Sequence, residues 1–245
     1  MKDNVCIIIP ARWGSSRFEG KPLAMIGDKP MIQRVYERCK SSSAENVIVA
    51  TDDERIFNVV SKFGECVMTP IMENGTLRVC HVANDLKEKF RYFINVQGDE
   101  PFVDGPFLDR LISNLKSSRE KSIVTVASEF KNDEDLTSPS SVKLIGSPGN
   151  LAVCFTRSPF FRRMNNVFKH IGIYGFHSSD LMKISKLMPS DLSLRESLEQ
   201  IRWMEDGYSI KYVISFGDWV SVDDPSDIKK AEDLLNRQKI IKLQD

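Results

Sequence analysis

Histidine is scarce in this chain, with three in 245 residues, and the five cysteines form neither a C-x-x-C pair nor a regular metal-ligand spacing. That argues against a zinc module or a disulfide framework and fits reduced thiols in a cytoplasmic protein. No apolar run approaches the roughly 20 residues of a membrane helix, so no stable membrane insertion is expected. Net charge is lacking as well. With 34 Lys and Arg against 34 Asp and Glu, broad attraction to nucleic acid or an anionic membrane is not expected. The first loop matches neither G-x-x-x-x-G-K-[ST] nor G-x-G-x-x-G, which disfavours a P-loop ATPase and a Rossmann dehydrogenase. Repeats and low-complexity tracts are also missing, which argues against a solenoid.

What is there is an ordinary globular composition, 41% apolar, in a chain long enough to bury a sizeable core as one domain over residues 1–245. Val5 to Ile9 is a short β-branched run ended by Pro10, a buried strand followed by a loop. Pro30 to Cys39 has the spacing of a helix, and NVIVATDD, residues 46 to 53, returns to strand. A strand, a helix and a strand predict a βαβ unit and a parallel sheet. The alternation continues through a helix at 55–63, a strand at 65–68, a helix at 77–86, the central strand in YFINVQGDEP at 92–101, a helix at 106–116 and a strand at 122–130. From about 131 to 175 the chain turns to short pieces with a hairpin around Gly146 to Asn150, a β-rich subdomain or dimerisation arm. A single helix over Leu194 to Glu205, a strand over 210–215 and a helix over 225–235 complete the pattern. The predicted class is α/β, an open and mostly parallel sheet with a small β-rich subdomain.

In such a sheet, ligands sit beyond the carboxyl ends of the strands. Arg12, Arg17 and Lys21 occupy that position among Gly14, Ser15 and Ser16, and could surround a polyphosphate. Asp99 and Glu100 in INVQGDEP, and Asp223 and Asp224 in VSVDDPSD, also follow strands, where a carboxylate can hold Mg2+. Three cations and two acidic strand ends together describe a nucleoside triphosphate site, and the joint reading is nucleotidyl transfer. Cysteine catalysis is weaker, because Cys80 and His81 are neighbours on a helix and point apart. His177 reads as exposed. His170, at the entrance to the apolar strand in HIGIYGF, is open to both a structural role and a ligand contact.

IIPAR, GKPL, VATDD, NVQGDEP, HIGIYGF, LEQIR and SVDDPSDI occur in this order over most of the chain. In that series the sequence resembles the bacterial 3-deoxy-manno-octulosonate (Kdo) cytidylyltransferases. The resemblance implies a nucleotidyltransferase fold, a homodimer, and transfer of CMP from CTP to a Kdo-like sugar acid. It assigns Pro10, Ala11 and Arg12 to the nucleotide, Arg17 and Lys21 to the triphosphate, and Gln97 to a place near the nucleotide. Asp99 and Asp223 match the Mg2+ carboxylates. Arg12, Lys21, Asp99 and Asp223 are thus the expected catalytic set. Arg78, Arg157, His170, Glu199 and Gln200 match the positions that shape the sugar-acid site.

The departures lie on the acceptor side. In ENGTLR, Asn74 stands for a usual Ser and Leu77 for an acidic residue; Phe160 and Phe161 stand where the family has a smaller pair, and Ser193 replaces a common Glu. Leu77 cannot accept a hydrogen bond from a sugar hydroxyl, so a modified ulosonic acid is the alternative acceptor. Transfer of another nucleotide to a sugar phosphate, and a non-catalytic nucleotide-binding regulator, are the remaining readings.

Overall fold

A computed structural model describes residues 4–160 and 164–242. The chain divides into two compact units, one built from Asn4–Phe90, Asn95–Asp109 and the segment from Asp218 on, the other from Arg91–Ile94 and Arg110–Gly217.

The first unit carries the parallel strands predicted from the sequence. Val5–Ala11 pairs with Asn46–Thr51 in the register Ile8 to Ile48, and Asn46–Thr51 pairs with Glu65–Met68. Every residue of Val5–Ala11 is buried, as a strand covered on both faces requires. Each fully buried isoleucine there contributes roughly 1.5–3 kcal/mol relative to exposure. Met31–Lys40 is a helix whose buried residues, Met31, Ile32, Val35, Tyr36 and Cys39, form one stripe. Tyr36 lies over Gly64, where a Cβ would stand 2.4 Å from the ring. The helix Asp227–Lys242 brings Ala231, Leu234 and Leu235 against Ile26, Met31, Phe102 and Val222. It begins after Pro225 and extends well beyond the expected end at 235.

The second unit is a mixed assembly. Ser122–Ser128 pairs in parallel with Ser209–Ser215 and antiparallel with Val167–His177. The expected hairpin forms as Lys143–Ser147 and Leu151–Thr156. Its two strands also pair with Val167–His177 and Ser209–Ser215, so the five strands close on one another. Trp203 is fully buried, with its ring edge-on to Tyr174 at 5.0 Å and Phe176 at 5.5 Å.

The single helix expected over Leu194 to Glu205 is two helices, Asp191–Glu196 and Gln200–Glu205. Ser197 breaks it, with φ 53° and ψ 46° in the left-handed region, and Leu198 N–H closes onto Ser193 O at 3.0 Å. The break lets Gln200, Ile201, Arg202 and Trp203 all be buried. His177, expected exposed, is buried; its ring lies 5.0 Å from Tyr92 and Nε2 is 3.0 Å from Ser118 Oγ. Among the described residues, no helix is long and apolar enough to cross a membrane.

Candidate active site

The first unit contains an open cleft of about 310 Å3 at the end of the first strand, lined by Pro10, Ala11, Arg12, Arg17, Lys21, Arg78, Gln97, Asp99 and Asp223 among others. The buried strand delivers Pro10 and Ala11 to its floor, and the loop that follows supplies the cations. Lys21 opens a short 3-10 turn, Lys21–Leu23, and reaches across to Asp99 Oδ2 at 2.6 Å and Asp223 Oδ1 at 3.5 Å. Arg17 Nη2 donates to the same Asp223 oxygen at 2.9 Å. Asp99 lies in the turn after the strand Tyr92–Asn95. Asp223 lies in an irregular stretch ahead of the helix Asp227–Lys242, where the expected strand does not form. The two segments are joined by Val222 N–H to Asp99 O at 3.0 Å. Four charged side chains from three distant segments therefore converge on one point.

Lys21 and Asp99 are the sheltered pair, with side chains 15% and 26% exposed, whereas Arg17 and Asp223 are 55% and 43% exposed. An exposed pair contributes little to folding, so stability does not account for holding Arg17 over Asp223. Arg12 is exposed along the cleft and donates no hydrogen bond to the described residues. Its planar fork is open to an anion. Asp223 is positioned by its own backbone: its N–H and that of Asp224 both donate to Asp227 Oδ2 at 3.1 Å. Burial opposes ionisation of Asp227, yet Lys230 and these two amides hold its carboxyl below the usual range.

The pair Asp99 and Glu100, expected to point to one edge, divides. Glu100 is buried and accepts from Ser221 Oγ at 2.7 Å. Both carboxylates lie beyond the end of the strand Tyr92–Asn95, outside its alternation, and of the two only Asp99 lines the cleft. Gln97 is steadied by donating to Asn95 Oδ1 at 3.2 Å. Two glycines that the sequence reading passed over make room here. A Cβ on Gly98 would stand 3.0 Å from Pro10 O, and one on Gly75 would stand 3.2 Å from Gln97 Oε1.

The residues matched to the sugar acid are held more tightly. Arg78 is buried, donating to Asp52 Oδ2 at 2.7 Å and Thr69 Oγ1 at 2.9 Å while lining the cleft. In the second unit, Arg157 donates to the carbonyls of Glu196, Pro139 and Ser140 at 3.1, 3.2 and 3.1 Å. A lysine the sequence reading missed, Lys143, is fully buried and donates to the carbonyls of Ser138, Ser141 and Arg157. Lys143 and Arg157 thus between them hold the four carbonyls of the segment 138–141.

His170 lies inside the strand Val167–His177 rather than at its entrance. Thr125 Oγ1 gives its hydrogen to Ile173 O at 2.8 Å and so accepts from His170 Nε2 at 2.9 Å. That fixes the proton on Nε2 and leaves Nδ1 as the acceptor of the neutral ring. Burial, with the Arg157 charge second, lowers the His170 pKa to about 3. Glu199 precedes the helix Gln200–Glu205 and stands 3.8 Å from Arg202, and Gln200 is buried.

Three of the departures have structural explanations. Asn74 caps the helix Gly75–Leu86, accepting from Leu77 N–H at 2.8 Å, a role Ser fills equally well. Ser193 closes a reciprocal capping box with Ser190. Phe160 packs against the cluster of Phe130, Leu136 and Val167. Phe161 lies outside the described residues. Cys80 is buried while His81 faces solvent, so they cannot act as a thiolate and its base.

The cytidylyltransferase family pattern matches residues 6–211. A 3-deoxy-manno-octulosonate cytidylyltransferase of Fusobacterium nucleatum is 38% identical over 239 residues, covering 95% of this chain and 97% of the relative. An 8-amino-3,8-dideoxy-manno-octulosonate cytidylyltransferase of Shewanella baltica is 41% identical over 241 residues, covering 95% and 98%. The solved structure of a CMP:2-keto-3-deoxy-manno-octonic acid synthetase complexed with CTP superimposes with a TM-score of 0.88 at 34% identity, covering 96% of this chain and 99% of that one. With an α/β nucleotidyltransferase fold and 34% to 41% identity to these enzymes over nearly its full length, the chain belongs to the cytidylyltransferase family, among the 3-deoxy-manno-octulosonate cytidylyltransferases.

Proposed function

We propose that this enzyme transfers CMP from CTP to Kdo with release of pyrophosphate. The observation that carries the reading is the convergence of Arg17, Lys21, Asp99 and Asp223 on one cleft, in a chain that covers nearly the full length of relatives named for this reaction. The C2 hydroxyl oxygen of the sugar acid forms a bond to the α-phosphorus as the bond from that phosphorus to the bridging β-phosphate oxygen breaks, and the hydroxyl proton is released to solvent. Arg12, Arg17 and Lys21 lie where charge builds on the α-phosphate and the departing pyrophosphate, and stabilise it without a covalent protein intermediate.

Mg2+ is part of the same proposal. Asp99 and Asp223 already share one ammonium group, with oxygens 2.6 and 3.5 Å from Lys21 Nζ, so their carboxylates fit a common cation. Two carboxylates with substrate phosphates make the hard oxygen set that Mg2+ prefers. Bound there, it would supply charge neutralisation at the phosphates. Isothermal titration of CTP with Mg2+ and after chelation tests this: binding is expected to weaken sharply without the metal, and equal binding removes Mg2+ from the proposal.

A second acceptor is favoured by a specific observation. The Shewanella relative, named for the 8-amino sugar, is as similar to this chain as those named for Kdo. Pyrophosphate release with CTP and either acid decides between them, and turnover with neither overturns the transferase reading. We place the protein in the cytoplasm as a homodimer, in keeping with five free cysteines and with exposed Leu151 and Val153 on the hairpin. Light scattering at two concentrations checks the assembly, and a monomer at both rejects it.

A further inference from the structure

The cations Arg12 and Lys21 flank a closed loop, and the residues just inside them, Trp13 and Gly20, form its neck. Gly20 N–H donates to Trp13 O at 3.0 Å. Gly20 is left-handed, with φ 69° and ψ 12°, and its bare α-carbon lies under the indole: a Cβ there would stand 2.9 Å from one ring carbon and 3.0 Å from the next. The indole Nε1–H donates to Glu19 Oε1 at 2.9 Å. On the ring face the Arg55 guanidinium sits 3.5 Å from the centroid, oriented in turn by Asp53 at 2.9 and 2.7 Å. One side chain therefore joins both ends of the loop to the helix Glu54–Val60.

From this juxtaposition we infer that Trp13 is a positioning residue for the triphosphate: it fixes the separation of Arg12 and Lys21, and the bearing of Arg17 between them, before the nucleotide arrives. The inference rests on CTP as the ligand of this cleft. Binding to a loop already ordered avoids the entropy lost in ordering it, so the contribution falls on nucleotide affinity. Arg12 and Lys21 stand immediately outside the neck, and a change in its width is transmitted to both. Glu19 and Arg55 also give the ring partners on its edge and face, which fix its tilt as well as its position.

The test is CTP affinity by calorimetry in the full chain, alongside steady-state constants for CTP and Kdo. Trp13→Ala is expected to weaken CTP binding about tenfold, with the KM for Kdo and the melting temperature close to wild type. Trp13→Phe, which keeps the stack on Arg55 and loses only the bond to Glu19, should recover most of the affinity. Arg55→Met, an exposed change on the far side of the ring, should weaken CTP binding about two- to threefold without unfolding the protein. Unchanged CTP affinity in Trp13→Ala and Arg55→Met overturns the inference, as does an equal loss in both substrates accompanied by a lower melting temperature. A wild-type protein that does not bind CTP instead overturns the functional reading on which the inference depends.

Discussion

The cleft of the first unit and the polar interior of the second solve opposite problems with similar residues. Around the cleft, Arg17 and Asp223 meet across 206 positions of sequence, exposed enough that their attraction adds little to folding. In the second unit, Arg157 and Lys143 spend their donors on backbone carbonyls, and His170 is neutral against a threonine. Arg78 belongs with the latter in character, although it lines the cleft, because Asp52 and Thr69 already take its fork. The lesson is that charge left accessible is charge kept for a ligand, while charge consumed by the backbone shapes the walls.

The strongest way to break that contrast is to neutralise the cleft carboxylates. Asp99→Asn and Asp223→Asn should each lower turnover by about a hundredfold or more, the scale of losing one preorganised transition-state contact. Their melting temperatures should stay near wild type, since the pairs they break are partly exposed. Near-normal turnover in both variants under saturating Mg2+ would remove them from the site.

Arginine exchange sharpens the contrast next. Arg157→Ala removes the donor from three carbonyls, two of them exposed to water, and should cost roughly 0.5–1.5 kcal/mol in urea unfolding. Arg12→Ala, which loses no internal bond, should leave unfolding unchanged within about 0.5 kcal/mol and raise the KM for CTP. If Arg12→Ala proved the more destabilising, the division between accessible and consumed charge would fail. An effect no larger belongs to the caps: Asn74→Ala should cost about 1 kcal/mol and Asn74→Ser almost nothing.

How much of this could be read from the sequence follows the same division. The cleft was legible in part: Pro10 and Ala11 end a strand that its β-branched run marks, and Asp99 follows the strand Tyr92–Asn95 after a short turn, but the alternation ahead of Asp223 forms no strand. Asp223 stood out by its acidic turn, but a contact between distant segments, Val222 N–H on Asp99 O, is what brings it to the cleft. The second unit was less legible. A buried lysine such as Lys143 carries no local signal, since lysine in sequence marks surface. Ser197 breaks a helix without the glycine that usually announces a left-handed residue. His177 follows a strand into a helix, and only the positions of Tyr92 and Ser118, distant in sequence, decide that it is buried. Glu100 differs from Asp99 by one position, and that single step sends it to Ser221.

The last test has the smallest effect at neutral pH and reads the second unit alone. His170 is held neutral, with its pKa lowered from 6.5 to about 3 by burial and then by Arg157. Between those values the unfolded chain binds a proton that the folded chain refuses, so stability is lost as pH falls below 6.5. The slope from one such group approaches about 1.4 kcal/mol per pH unit. Asp227, whose pKa lies below 3.8, adds its own loss only in stronger acid, because a carboxylate with a lowered pKa keeps its contribution until it is protonated. In the interval from pH 6.5 to about 4, His170 drives the loss. Asp180, whose pKa burial raises above 3.8, takes up its proton more readily when folded and opposes it, and Glu37, lowered from 4.5, adds to it only toward the acid end. His170→Gln, whose amide can still donate to Thr125, should match wild type near pH 7.5 and show a flatter decline through that interval in urea unfolding. A decline as steep as that of wild type would place the acid sensitivity on another group and remove the claim that the Thr125 contact holds a neutral ring.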